Sequence, residues 1–232
     1  MKAIMVAVSL LMPATGLMAR SVQERLNDAT AVFNEIMATP DRGIPQDLLS
    51  KAQCVVIIPG EKKAAFVVGG EYGRGFAVCR RESGTGWGAP AAVRMEGASV
   101  GFQIGASSTD VVLLVMNRDG MNKLLRDKFT LGADASVAAG PVGRTASADT
   151  DAMMHAEILA WSRSRGLFGG VSVAGSTLRN DLDENEALYG RKVDNREVLN
   201  GAMARPPAAE ALAHALDRYS EYKEGSSADR AK

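Results

Sequence analysis

Apolar residues along this chain change their spacing several times, and each change marks a different kind of element. From Ala3 to Leu11 the run is apolar apart from Ser9, and Pro13 and Gly16 then break it. Over residues 21–38 the apolar positions Val22, Leu26, Ala29, Phe33 and Ile36 fall three and four apart, which puts them on one stripe of a helix. Ser21 followed by Glu24 is a capping-box pattern at its start, and Thr39-Pro40 ends it. The polar face carries Glu24, Asp28 and Glu35 against Arg25 alone, whereas a membrane-surface helix is basic on that face. The spacing therefore predicts a helix packed on the domain's own core. Ile44-Pro45 starts a short helical turn through Ala52.

From Cys54 to about Met116 the pattern becomes a series of short apolar runs broken by glycine: CVVII, AAFVVGG, GFAVC, AAVRM, SVGFQIG and DVVLLVM. These are strand signals with turn residues between them, and Gly84-Thr85-Gly86 reads as a hairpin tip. Arg118 to Asp127 reads as a helix with Asp119 as its cap. Strands resume through ADASVAAG, VGRTASA, DAMMHAEILAWS and GLFGGVSVAGS. DLDENEALYG reads as a short helix ended by Gly190, and Pro206-Pro207 opens a final helix with Leu212, Leu216 and Tyr219 on one face. Glycine weakens a strand unless the backbone must bend or approach something closely, so glycine in strand after strand predicts a sharply curved sheet. The expected fold class is α+β: a strongly bent, glycine-rich, antiparallel, barrel-like sheet with N- and C-terminal helices packed on it.

The N-terminal run follows Met1-Lys2 and precedes small residues, which is the layout of a secretory signal peptide over residues 1–19. It is too short for a transmembrane helix, which needs about 20 apolar residues. Cleavage after Ala19 or after Gly16 fits, and no cysteine lies nearby to make a lipoprotein. The expected location is the periplasm or outside the cell. Residues 20–223 then form one domain, and 224–232 a disordered polar tail.

Lys plus Arg equals Asp plus Glu at 27 each, and losing residues 1–19 removes only Lys2. A balance so near zero excludes bulk nucleic-acid binding and leaves room for a local basic patch. Cys54 and Cys79 each sit in an apolar, strand-like stretch. In an oxidising compartment they can form a bridge; the alternative is two independent buried thiols.

Catalytic motifs fail for lack of partners. Gly97 to Gly101 matches the nucleophile elbow, but Ser99 leads into an alternating, strand-like run rather than a helix. The chain has two histidines, His155 and His214, and His155-Ala156-Glu157 lacks the paired cysteines a zinc deaminase needs. No metal site of standard spacing and no cofactor loop can be drawn. Basic residues are more suggestive. Lys62 and Lys63 follow a Pro-Gly turn, Arg74 lies in a YGRG turn, Arg144 follows GPVG, and Arg163 and Arg165 precede another glycine. Arginine beside glycine backbone suits phosphate, because guanidinium binds bidentately and nearby N–H groups join it.

Four segments carry a longer likeness: YGRGFAVCR, GWGAPAAVRMEGASVGFQIGASSTDVVLLVMN, KFTLGADASVAAGPVGR and WSRSRGLFGGVSVAGS. Their order and spacing, from about Ile44 to Tyr189, resemble the SYLF domain, a family with eukaryotic actin-patch and phosphoinositide-binding members and many exported bacterial ones. The resemblance implies a non-enzymatic binding module, without cofactor, for anionic lipid head groups of the phosphoinositide or phosphatidic-acid type. By motif position it points to Arg74, Arg144, Arg163 and Arg165, with Lys62 and Lys63 in support. Eukaryotic members can use a basic amphipathic N-terminal helix, and the acidic helix here departs from that. An exported protein meets no actin, so actin is not expected as a partner. Two further readings stay open: a structural or stress-related envelope protein acting through protein contacts, and an unrecognised hydrolase. A basic patch beside an apolar groove favours the lipid module, a large exposed apolar surface favours the protein contact, and a pocket gathering Ser99 and His155 favours the hydrolase.

Overall fold

The computed structural model describes residues 20–39, 43–66, 68–81, 86–100, 105–141, 155–164, 167–170 and 173–220. The apolar N-terminal run, the Gly84-Thr85 tip, the VGRTASA stretch and the polar tail lie outside them.

Helix α1 spans Val22–Met37 with the capping box its sequence announces: the Ser21 side chain accepts from Glu24 N, and the Glu24 side chain accepts from Ser21 N. Its buried residues are Leu26, Ala29, Val32, Phe33 and Ile36, so the apolar stripe faces the core. Helix α2 spans Gln46–Lys51. Four long strands follow: β1 Cys54–Phe66, β2 Val68–Cys79, β3 Ala91–Val100 and β4 Gly105–Val115. Helix α3 spans Arg118–Leu124, then come β5 Lys128–Thr130, β6 Val137–Ala139, β7 Ile158–Ser164, β8 Leu167–Gly170 and β9 Thr177–Asn180. Helix α4 spans Leu182–Tyr189 and ends at Gly190 in the left-handed conformation. A single turn α5, Asn195–Glu197, runs into a π-type turn over Val198–Ala202, and α6, Glu210–Ser220, closes the described chain.

Several sequence expectations are corrected here. The six short apolar runs join into four long strands, because the residues between them keep pairing. Pro59-Gly60 is no turn but a bulge inside β1: one extra residue opposes both β2 and β4 between Ile57 and Lys62. Gly60 supplies the positive φ, 63°, that such a bulge requires. The YGRG stretch is likewise the middle of β2, with Arg74 directly opposite Arg94 of β3. Glycine is needed there because a Cβ on Gly75 would collide with the Ile57 carbonyl oxygen, so the bulged strand presses on bare backbone. The cap of α3 is Asn117, whose side chain accepts from Gly120 N, and not Asp119; the helix ends at Leu124, short of Asp127.

The strands form one nine-stranded sheet ordered β5-β9-β3-β2-β1-β4-β7-β6, with β8 on β7. It is mixed rather than wholly antiparallel, since β6 runs parallel to β7. The sheet must curl. Eight strands laid flat at about 4.8 Å spacing would set its edges roughly 34 Å apart. Yet edge strands β5 and β6 are joined by residues 131–136, which fold back in a Leu131–Ala135 bridge. Extended, that link could reach at most about 25 Å. The α+β class and the bent sheet expected from the sequence are thus present as an open half-barrel.

Both faces of the sheet are apolar. Alternation places Val55, Ile57, Phe76, Val78, Val112 and Leu114 on the face covered by α1, α2 and α6. The intervening residues, among them Val56, Ile58, Ala77, Leu113 and Ile158, meet Phe129 and Leu178 from the opposite edge of the sheet. Helices from the two ends of the chain therefore share one face, and Phe33 of α1 meets Tyr219 of α6 edge-on at 6.0 Å. No described helix is long and apolar enough to cross a membrane.

Candidate functional site

Strand register decides which charged residues meet. Arg74 lies on the helix side of β2 and grips Asp181, the cap of α4, with Nε at 2.5 Å and Nη2 at 2.8 Å. Its Nη1 is 3.3 Å from Glu184, which also accepts from Arg25 of α1 at 2.9 Å. These carboxylates hold the Arg74 guanidinium firmly protonated, the Asp181 hydrogen bonds contributing most against the cost of burial. The network ties α1, α4 and β2 together and occupies the Arg74 donors. Arg163 of β7 is similarly engaged, with Asp110 of β4 at 2.6 Å and with Glu35 of α1.

Lys63 points to the other face of the sheet. Its ammonium lies 2.9 Å from Glu71 and 3.4 Å from Glu61. Glu61 is fully buried, neither carboxylate oxygen has a hydrogen-bond partner among the described residues, and burial pushes its pKa up to about 7. Ser176 donates to Glu71 on the same face. Lys62 stands exposed, its Nζ 3.2 Å from the Ser108 hydroxyl. Arg144 and Arg165 fall outside the described residues. The structure thus separates Arg74, Arg163 and Lys63 into three ion-paired groups rather than one patch.

Cys54 and Cys79 stand opposite each other at the ends of β1 and β2 and are joined by a disulfide, with Cα atoms 4.0 Å apart. Cys54 is also in register with Val115 at the end of β4. Three strands therefore stop together. Gln53 N donates to Val115 O at 2.7 Å and Arg80 N donates to Gln53 O at 2.9 Å, which knits the chain just beyond the disulfide. Around this point lies a surface cleft of about 780 Å³.

Four cations line the cleft: Lys51, Arg80, Arg81 and Arg118. Trp87 organises two of them. Its buried ring lies under Arg80, 4.5 Å from the guanidinium carbon, and its carbonyl accepts from Arg81 Nε at 3.1 Å. The indole N–H is anchored on Ser220 at 2.9 Å. Arg80 also donates to the carbonyls of Leu49, Ser50 and Ala52 at the end of α2, which fixes it as the floor of the site. Burial lowers the Arg80 pKa, with Asp217 partly restoring it, but a guanidinium stays charged at any working pH. Lys51, Arg81 and Arg118 are exposed, and none has a carboxylate within ion-pair distance among the described residues. Met121, Leu125 and Leu199 form an apolar wall beside them. An adjoining pocket of about 310 Å³ shares Arg81 and Asn200 and adds Met203 and Arg205. The cleft can hold an anion: two exposed guanidinium forks and an ammonium, with an apolar surface alongside.

Sequence reasoning missed this site because its cations are scattered over residues 51–118. The signal within reach was the pair Arg80-Arg81 directly after Cys79. The nucleophile elbow, by contrast, is not assembled. Ser99 pairs with Gly69 inside the β2–β3 ladder, near the far end of the sheet. His155 precedes β7, whose Ile158 is in register with Val115 at the cleft end.

A family model described as Las17-binding protein actin regulator matches residues 96–219, from β3 through α6. The chain belongs to the Ysc84, or SYLF, family. It is 37% identical over 180 residues to LAS seventeen-binding protein 3 of Saccharomyces cerevisiae, covering 76% of this chain and 39% of that one. To the SH3 domain-containing YSC84-like protein 1 of Homo sapiens it is 33% identical over 192 residues, covering 82% of this chain and 56% of the relative. The Xenopus laevis protein of the same name is 33% identical over 184 residues, 78% and 54% covered. The SYLF chain thus spans between about two fifths and somewhat over half of these relatives. The family description and the name of the Saccharomyces relative speak of binding and regulation, not of catalysis. The α3 and π-turn walls of the cleft, with Arg118 and Asn200, lie within the matched SYLF segment, while Lys51, Arg80 and Arg81 precede it.

Proposed function

We propose that this SYLF chain is a non-enzymatic module that binds anionic lipid head groups in the cell envelope. The observation that carries the reading is the cleft at the ends of β1, β2 and β4, where Lys51, Arg80, Arg81 and Arg118 converge beside an apolar wall. A positive cluster attracts phosphate, and the neighbouring apolar surface suits the first carbons of the lipid beneath it. The function is the one the family resemblance implies, but the proposed site is different. Arg74, Arg163 and Lys63 have carboxylate partners of their own, so they hold the fold together, while Lys51, Arg81 and Arg118 of the cleft have none among the described residues. The acidic outer face of α1 fits this division, since that helix turns its apolar stripe onto the sheet. Export to the periplasm or beyond, by the apolar run at residues 1–19, belongs to the same proposal.

Flotation with vesicles tests it. Binding should rise with the fraction of anionic lipid, be poor on neutral phosphatidylcholine, and fall as salt screens the contacts over about 8 Å at physiological ionic strength. Equal binding to neutral and anionic vesicles, or none to either, contradicts the proposal. In the second case the name of the Saccharomyces relative, which speaks of binding a protein, turns the search to a protein partner.

A further inference from the structure

The outer face of the sheet continues past the helices toward the end opposite the cleft, and register builds it in two rows. Arg74 of β2, Arg94 of β3, Arg179 of β9 and Lys128 of β5 stand directly opposite one another across four strands. Two positions further along, Lys62 of β1, Tyr72, Glu96 and Thr177 form the next row. Opposed residues share a face, and so do residues two apart on a strand, so one surface carries both rows. Like charges directly opposite one another destabilise a sheet, and here three such pairs follow in succession. Arg74 is committed to Asp181 and Glu184. Glu96 is the one carboxylate of the two rows and lies 3.2 Å from both Arg94 and Arg179, so a single negative charge serves two guanidinium groups. Lys62 and Lys128 are exposed, and neither has a carboxylate within ion-pair distance among the described residues.

The large apolar side chains left exposed among the described residues adjoin the same surface. Tyr72, 45% exposed, lies two residues from Arg74 on β2, and Leu182, 51% exposed, follows Asp181, the partner of Arg74. We propose that this face docks an extended acidic segment of another protein, with an aromatic or aliphatic side chain of that segment against Tyr72. From β1 to β5 the face spans four inter-strand steps, about 19 Å at about 4.8 Å each, which an extended segment of about six residues covers. Lys62, Arg94, Arg179 and Lys128 take its carboxylates, and the exposed aromatic ring supplies the anchor. Glu96 argues against a membrane here: a carboxylate midway among the cations repels a uniformly anionic bilayer, whereas a segment with discrete charges can place a neutral residue over it. Tyr72 is seven residues of strand from Cys79 at the cleft, about 23 Å, so this surface is separate from the lipid site and does not rest on it.

Fluorescence anisotropy of a labelled random copolymer of glutamate and tyrosine, titrated with the full-length protein at low salt, tests the proposal. Wild type should bind the copolymer more tightly than polyglutamate of the same length. Tyr72→Ala and Lys128→Glu should each weaken binding at least about fivefold, while Arg118→Glu in the cleft changes it by less than about threefold. Both substituted positions are exposed, so urea unfolding midpoints of the two variants should match wild type. No binding of the copolymer, or binding by Tyr72→Ala and Lys128→Glu equal to that of wild type, overturns the proposal. A loss in Arg118→Glu as large as in the other two overturns it and assigns acidic chains to the cleft. Weakened flotation of Tyr72→Ala and Lys128→Glu on phosphatidylglycerol-containing vesicles, with copolymer binding intact, overturns it in favour of a second membrane contact.

Discussion

Replacing Glu61 by glutamine should flatten the pH dependence of folding stability in a defined window. Glu61 is fully buried at the β1 bulge, its oxygens lack hydrogen bonds among the described residues, and its counter-ion Lys63 is 3.4 Å away and shared with Glu71. Burial raises its pKa from 4.5 to about 7. The native state therefore holds this proton more tightly than the unfolded chain does. The resulting stabilisation is complete below the unfolded value near 4.5 and is lost as pH rises through about 7. Between pH 5 and 8.5 that loss amounts to roughly 2–3 kcal/mol, each pH unit in the window being worth about 1.36 kcal/mol. Glutamine cannot titrate, and Lys63 retains Glu71 at 2.9 Å. Urea unfolding of both proteins at pH 5 and pH 8.5 measures the double difference, from which shared titrations cancel, including that of Asp110, whose pKa burial also raises. Wild type should lose roughly 2–3 kcal/mol more than Glu61→Gln over this interval, equivalent to about 5–10 °C in Tm for a domain of this size. Parallel pH profiles for the two proteins would refute the reasoning.

Arg74→Ala should destabilise the fold by about 3 kcal/mol or more, since it strands Asp181 in the interior, while lipid selectivity of the remaining folded protein is unchanged; chemical denaturation and flotation check the two halves. The double variant Cys54→Ala/Cys79→Ala should lose about 3 kcal/mol, the closure entropy of a loop with sequence separation 25, and intact mass with and without alkylation should find no free thiol in wild-type protein. For the proposed export, cell fractionation with N-terminal sequencing should find a chain outside the cytoplasm that begins at Arg20 or Leu17; cytoplasmic protein still starting at Met1 rejects it.

What could be read from the sequence, and what could not, divides along the range of the interactions. Helix α1 was legible because its stripe and its Ser21–Glu24 box are local, three and four residues apart. Gly190 as the stop of α4 was legible for the same reason. The bent sheet could be inferred from its glycines, but not which glycine does what: Gly60 bends β1, and Gly75 yields to that bend from the neighbouring strand. Local turn chemistry misled at Pro59-Gly60 and at YGRG, where pairing on both sides overrides it. Arg74 then acquires Asp181 as a partner, 107 residues away, which no spacing rule reveals. The cleft is the extreme case. Lys51, Arg80, Arg81 and Arg118 become neighbours only because Cys54 sets the ends of β2 and β4 in register.

The central claim is that the cations of the cleft, rather than the ion-paired arginines, bind anionic lipid. Flotation of Arg118→Glu beside Lys62→Glu on phosphatidylglycerol-containing vesicles tests it most directly. Both residues are exposed and both changes shift net charge equally, but only Arg118 lines the cleft. Reversing Arg118 should weaken binding at least about tenfold, from the loss of a charge-assisted contact worth about 1.5–3 kcal/mol, while reversing Lys62 should change it by less than about threefold. Equal losses in the two variants, or retained binding in Arg118→Glu, would contradict the account.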